Sequence, residues 1–220
     1  VGVYGAGYKL GALMLLLVYA FNYAWRPYFL KEKNIQSFQK ISSYVFFGLG
    51  LFYILLVLYV DIIATSILPG INTSLIEPKF WEGFVIVPII SLAYIFHGSF
   101  ILQEAGPFLS NKVYKISVCR GIGVALNITL NLVLIPCFEK PYLGAALATL
   151  ISYFSMSLIL YLWNYKESIF RYDNIMLIIV GVNIGIAWYI STYDAIIFKI
   201  LLPILYLVQF KYYKKCLPAN

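Results

Sequence analysis

The chain is a series of long apolar stretches joined by short charged segments, and few architectures accommodate that pattern. Seven stretches run roughly over residues 7–30, 41–60, 83–103, 113–135, 142–163, 175–191 and 195–210. Crossing the hydrocarbon core of a bilayer takes ~20 consecutive apolar residues. Hydrophobic residues make up 62% of the sequence and charged residues 11%, too few charges to give a helical protein of this size a water-facing surface. In lipid every backbone polar group must be satisfied internally, which leaves helices and closed barrels. The stretches are continuous and too long for barrel strands. The expected fold is all-α: a polytopic transmembrane helical bundle of seven spans.

The formal net charge is +7, and its distribution argues for topology rather than nucleic-acid binding. One set of connections carries Lys31, Lys33 and Lys40, then Lys112 and Lys115, then Lys166 and Arg171, then Lys211, Lys214 and Lys215. The alternate set carries Asp61, Glu77, Lys79, Glu82, Glu139, Lys140 and Asp194. The positive-inside rule then places residue 1 outside and the C-terminus in the cytoplasm. Trp25 and Trp163 fall near cytoplasmic ends and Trp81 and Trp188 near outer ends, as belt residues do. Cys119, Cys137 and Cys216 have no metal-like spacing and read as unpaired thiols. Residues 9–20 loosely resemble a signal peptide, but six more spans follow, so the first stretch reads as a true span. The chain opens on Val1, and the expectation is that it is a fragment.

Turn and packing signals divide the chain further. The longest connection, 61–82, contains Pro69, Gly70 and Pro78 and should be irregular. Gly106 and Pro107 mark the turn between spans three and four. Residues 136–141 turn a tight outer hairpin, and 192–194 turn a second. Gly7 with Gly11 and Gly181 with Gly185 form GxxxG pairs. Gly121, Gly123 and Ala125 lie in span four, and Gly144, Ala145, Ala146 and Ala148 open span five. Small residues of this kind let helices approach closely in lipid. Pro88 and Pro203 lie inside spans and predict kinks.

The polar residues within the spans carry the functional signal. Arg120, Asn127 and Asn131 are spaced i, i+7, i+11, which places them within about 40° on one helical face. Ser117 extends that stripe. A charge inside a span is costly unless it faces protein or water. Two readings of the stripe stand: the wall of a water-filled cavity with a cationic point for an anionic group, or an interfacial Arg with two Asn bonding between helices. Span one has Asn22 and Arg26 at i, i+4, with Tyr19 at i−3, and Lys9 near its outer end. Each is a cavity candidate, and each also suits interfacial anchoring. Span three has His97 and Glu104 at i, i+7. They are candidates for proton or ion coupling, against the alternative of a hydrogen-bonded packing His and a boundary Glu. Thr149, Ser152 and Ser155 give span five a mild polar stripe that could face span four. No catalytic constellation, metal-ligand cluster or phosphate-binding glycine loop is present, so no enzyme activity, cofactor or metal is expected. GVYGAGYKLG superficially resembles a dinucleotide motif but opens a membrane span and follows no strand.

Four stretches together resemble a known family. VGVYGAGYKLG followed by FNYAWRPYFL is similar to the start of the second half of bacterial polysaccharide flippases. Residues 112–120 then lead into ALNITLNLVLIP, and after a short turn comes LGAALATLISY. The order resembles the O-antigen and capsule repeat-unit flippases of the multidrug/oligosaccharidyl-lipid/polysaccharide (MOP) superfamily, relatives of MATE exporters and of the lipid II flippase. The likeness covers roughly residues 1–165, as a C-lobe bundle, with 166–220 forming a terminal helix pair and cytoplasmic tail. It departs at Lys140-Pro141-Tyr142, where the family usually has a Gly-Ile-like pair.

The resemblance implies the C-terminal lobe of a two-lobed transporter in a bacterial or archaeal cytoplasmic membrane, with the N-lobe and the first C-lobe helix missing from this stretch. It implies movement of an undecaprenyl-pyrophosphate-linked oligosaccharide from the cytoplasmic to the outer leaflet by alternating access, in lipopolysaccharide or other polysaccharide biosynthesis. Glycan polymerase and glycosyltransferases would be neighbouring partners. Arg120, then Arg26 and Lys9, would hold the pyrophosphate or acidic sugars, and Asn22, Asn127 and Asn131 would meet sugar hydroxyls or line the path. The alternatives are a MATE-type cation exporter, which would favour acidic cavity residues; a membrane-embedded polymerase or acyltransferase, which would want a longer outer loop; and a non-transporting scaffold.

Overall fold

A computed structural model describes residues 2–31, 35–66, 74–167, 171–193 and 196–216. Val1, Lys33, Pro69, Gly70 and Asp194, to which the sequence reading gave weight, lie outside them, as does the side chain of Cys216. The described elements are helical throughout. They are α1 (Gly2–Gly11), α2 (Leu13–Lys31), α3 (Ile35–Thr65), a 3-10 helix (Pro78–Ile86), α4 (Val87–Gln103), α5 (Ala105–Leu109), α6 (Tyr114–Cys137), α7 (Pro141–Lys166), α8 (Asn174–Ser191) and α9 (Ile196–Cys216). They make seven helices long and apolar enough to cross a membrane: Gly2–Lys31, Gln36–Thr65, Pro78–Leu109, Tyr114–Cys137, Pro141–Lys166, Asn174–Ser191 and Ile196–Lys215. The protein is an all-α polytopic membrane protein.

Two of the spans are compound. The first breaks at Ala12, where the α-type bond from Ala12 N to Tyr8 O (2.8 Å) gives way to a tighter one from Leu15 N to Ala12 O (2.9 Å). The third enters as the 3-10 helix and becomes α-helical at Val87, with Pro88 in the first turn of α4, where its missing N–H leaves no bond unmade. That span also continues past the expected turn. Gly106 and Pro107 sit inside α5, and the chain reverses at Ser110–Lys112, with Asn111 in the left-handed region at φ 55°. Asn tolerates that conformation better than most residues. The reversal is closed by Lys112 N donating to Pro107 O at 2.8 Å. Gly106 is needed instead for proximity, because a Cβ there would meet the Asn164 side chain of α7.

α4 is the central strut, with 78% of its span's apolar window buried against 11% for α6. α7 packs along both α4 and α6, α1 packs on the 3-10 helix, and α8 packs on α3, with α9 against both α3 and α8. Gly7 explains the closeness of α1: a Cβ there would collide with the Gly83 carbonyl oxygen, and one at Gly83 with the Val3 carbonyl. Gly11 is buried against Ile90. The other GxxxG pair behaves differently. Nothing lies within 4 Å of a Cβ at Gly181 or Gly185.

Trp25 also departs from its expected place. It is 1% exposed, enclosed by Phe21, Tyr28, Phe29 and Phe38. Its indole N–H donates to Leu102 O at 3.2 Å. A buried indole needs such a partner, so Trp25 fastens α2 to α4 rather than marking the interface. Trp81 is partly exposed, as a belt residue should be.

Candidate functional site

A cavity of about 540 Å³ opens between α1, α4, α6 and α7. α6 supplies the polar wall: Arg120, Asn127 and Asn131, with Gly123, Val124 and Ile128 among them. α7 faces it with Ala145, Thr149, Ser152, Tyr153 and Met156, α1 contributes Tyr4 and Tyr8, and α4 contributes His97. The 100° turn per residue is why one α6 face collects residues seven and eleven apart. A small residue lets α6 and α7 approach at Gly144, where a Cβ would collide with the Leu134 carbonyl oxygen, whereas at Gly123 a Cβ would make ordinary contact with Met156 (3.4 Å).

The polar groups are partly spoken for. Asn131 Nδ2 donates to Asn127 O (2.8 Å) and Oδ1 (3.0 Å), one turn back on the same helix. Thr149 and Ser152 donate to Ala145 O (3.0 Å) and Ala148 O (2.6 Å). Their donors are used within α7, while the hydroxyl lone pairs can still accept. Tyr8 and Tyr94 share a hydroxyl–hydroxyl bond of 2.6 Å. His97 lies among rings, with centroids at 5.0 Å to Tyr153, 6.4 Å to Tyr94 and 6.5 Å to Tyr19. Its Nδ1 is buried with no partner.

Arg120 is tied down at one end of the cavity. Its Nη2 donates to Glu104 Oε1 at 2.5 Å. Arg26 Nη2 stands 3.9 Å from Glu104 Oε2. Glu104 is 2% exposed, whereas both arginine side chains are 55% exposed. The guanidinium of Arg120 lies over Phe100 and that of Arg26 over Phe108, each at 5.6 Å. Phe100, Glu104 and Phe108 recur every four residues, so one stripe running from α4 into α5 offers a ring, a carboxylate and a ring to two arginines from different helices.

Of the residues singled out in the sequence, Arg120, Asn127, Asn131 and His97 line the cavity together. Glu104 joins them through Arg120, and Arg26 through Glu104. Lys9 is exposed on α1 and is not among the cavity-lining residues, nor is Asn22, whose Oδ1 is buried without a partner. The tyrosines of the wall were not singled out. Tyr4 and Tyr8 are one turn apart on α1, but the chain has 20 tyrosines, and spacing alone does not say which of them face a cavity.

A half-open cavity that sets a few polar side chains among a mostly apolar lining, drawn from four elements of a seven-span bundle, makes this a polytopic membrane protein with a partly polar cavity among its helices. No family model, curated protein or solved structure matches the chain.

Proposed function

We propose that the chain serves as one lobe of a transporter that moves a lipid-pyrophosphate-linked oligosaccharide from the cytoplasmic to the outer leaflet of a bacterial or archaeal cytoplasmic membrane by alternating access. The observation that carries this reading is the α6 wall, where a half-exposed arginine and two asparagines of one apolar, span-length helix stand in one cavity. An Arg placed there must face protein or water, and in a low-dielectric setting it attracts an anion strongly. The amides and the hydroxyl lone pairs suit sugar hydroxyls, and the faces of Tyr4, Tyr8 and Tyr153 offer apolar platforms for sugar rings. The resemblance of 1–165 to repeat-unit flippases supplies the substrate class. A cation exporter fits less well, because the one intramembrane carboxylate beside the cavity is already held by two arginines. The basic connections would lie in the cytoplasm. There Lys112 and Lys115 both bind Glu167, at 2.8 and 2.6 Å.

The test is Arg120→Ala in the full-length protein, scored by surface glycan. Export should be abolished while the protein still inserts and accumulates. Normal surface glycan at ordinary expression would sink the cavity role. Arg120→Lys separates charge from the planar fork of the guanidinium.

A further inference from the structure

Resting on that reading, we infer that Glu104 is a built-in competitor for the anion site, an internal counter-ion that a multiply charged, phosphate-type anion displaces from Arg120. The geometry gives the argument. Two guanidiniums, Arg26 and Arg120, share a single carboxylate. The cluster therefore carries one uncompensated positive charge, and its two cations are half-exposed while its anion is buried. Glu104 holds Arg120 tightly, at 2.5 Å, and Arg26 loosely, at 3.9 Å. An arriving anion meets the exposed part of Arg120 and has to take it from Glu104. Glu104 then keeps Arg26 as its partner, so the buried carboxylate is never left alone. That second arginine makes the exchange feasible, because stranding a buried charge is strongly unfavourable.

The exchange discriminates by charge. A monoanion replaces one carboxylate with its equal and gains nothing from the swap. A di- or trianion gains a larger Coulomb attraction to the same guanidinium. The two rings keep the arginines in place during the exchange: Phe100 beneath Arg120 and Phe108 beneath Arg26 provide cation–π support that does not depend on Glu104. Glu104 acts through Arg120, as a positioning residue that sets how strongly the anion site binds.

The experiment is titration of the purified full-length protein, wild type and variants, with inorganic pyrophosphate and with acetate. Glu104→Gln keeps the shape and removes the competing charge. It should raise pyrophosphate affinity about tenfold or more, roughly the factor that one hydrogen bond to a charged group represents, and should raise acetate affinity by a smaller factor, because the removed negative charge repelled the multiply charged anion more. Arg120→Gln should lose pyrophosphate binding. Glu104→Asp, which draws the carboxylate back from Arg120, should shift affinity in the same direction by less, and it carries the test if Glu104→Gln does not fold. Unchanged or weaker pyrophosphate binding in both Glu104 variants overturns the competitor role. The anion site at Arg120 would then still stand on the loss in Arg120→Gln. No pyrophosphate binding by wild type or by either Glu104 variant overturns the site itself.

Discussion

α4 carries two polar clusters with opposite surroundings. On one side Ser99 and Gln103 meet Ser157 and Asn164 of α7 and Tyr172 just before α8. Gln103 Nε2 donates to Ser99 Oγ (3.0 Å) and Ser157 Oγ (3.1 Å), and Ser157 Oγ donates to Ser99 Oγ (2.8 Å). Tyr172 donates to Ser99 O (3.0 Å) and Asn164 Nδ2 to Gln103 O (3.0 Å). All five side chains are buried and neutral. At the end of the same helix, Glu104 is buried but its two cationic partners stand half in the open beside the cavity. Neutral groups bonded mainly to one another hold helices together, even with Gln103 Oε1 and Asn164 Oδ1 left buried without a partner. Charged groups left half-satisfied and accessible are available to a ligand. Polarity within a span therefore does not by itself mark function; what matters is whether the polar group has somewhere left to bind.

The largest effect that would break this contrast belongs to the charged cluster. Arg120→Ala should abolish export with normal insertion, and pairing Arg120→Gln with Glu104→Gln should restore any lost protein level without restoring export. Recovery of export in that double variant would make the pair structural, like the neutral network. Next comes Gln103→Leu, which removes one interhelical bond, to Ser157, and one within α4, to Ser99, and should lower stability by roughly 1–2 kcal/mol, the upper end for such bonds in membranes. Denaturant unfolding in mild detergent measures it, and export per molecule inserted should stay near wild type. Asn131→Ala removes bonds made only within α6, so stability should move by less than about 0.5 kcal/mol, while transport slows if the amide meets substrate. Transport and stability assays on one preparation separate the two.

The smallest effect lies outside the spans. The hydrogen bonds from Lys112 and Lys115 hold the Glu167 carboxyl below its usual 4.5. A carboxyl with a depressed folded value stabilises above its unfolded value, and the contribution disappears as pH falls through the folded one. Glu167→Gln should therefore melt slightly below wild type at neutral pH and match it once the pH drops beneath that lowered value. A constant gap across the acid range would assign the difference to packing.

The two GxxxG pairs show how far the sequence could be read. Both read alike, yet Gly7 sits backbone-to-backbone with Gly83 while Gly181 and Gly185 meet nothing within 4 Å. A small residue permits a close approach and does not supply the neighbour. Trp25 shows the same limit: its position near a span end predicts an interfacial ring, and tertiary contacts with α3 and α4 bury it instead. The hairpin of α6 and α7 was legible because Pro136, Pro141 and the small residues that follow constrain backbone geometry locally. The α4–α5 continuation was not, since Gly106 serves contact with Asn164, which lies far away in sequence.

What the sequence determined by itself is whatever repeats along one helix: seven spans from apolar length, and the shared face of Arg120, Asn127 and Asn131 from the turn angle. Only the tertiary structure decided which helix faces which. It put His97 and three tyrosines across from that face, left Lys9 and Asn22 off the cavity wall, and brought Arg26 and Arg120 to the same carboxylate. In lipid the apolar surface of a helix has no preferred partner, so neighbours are chosen by shape and by a few polar contacts, and those depend on residues far apart in the chain.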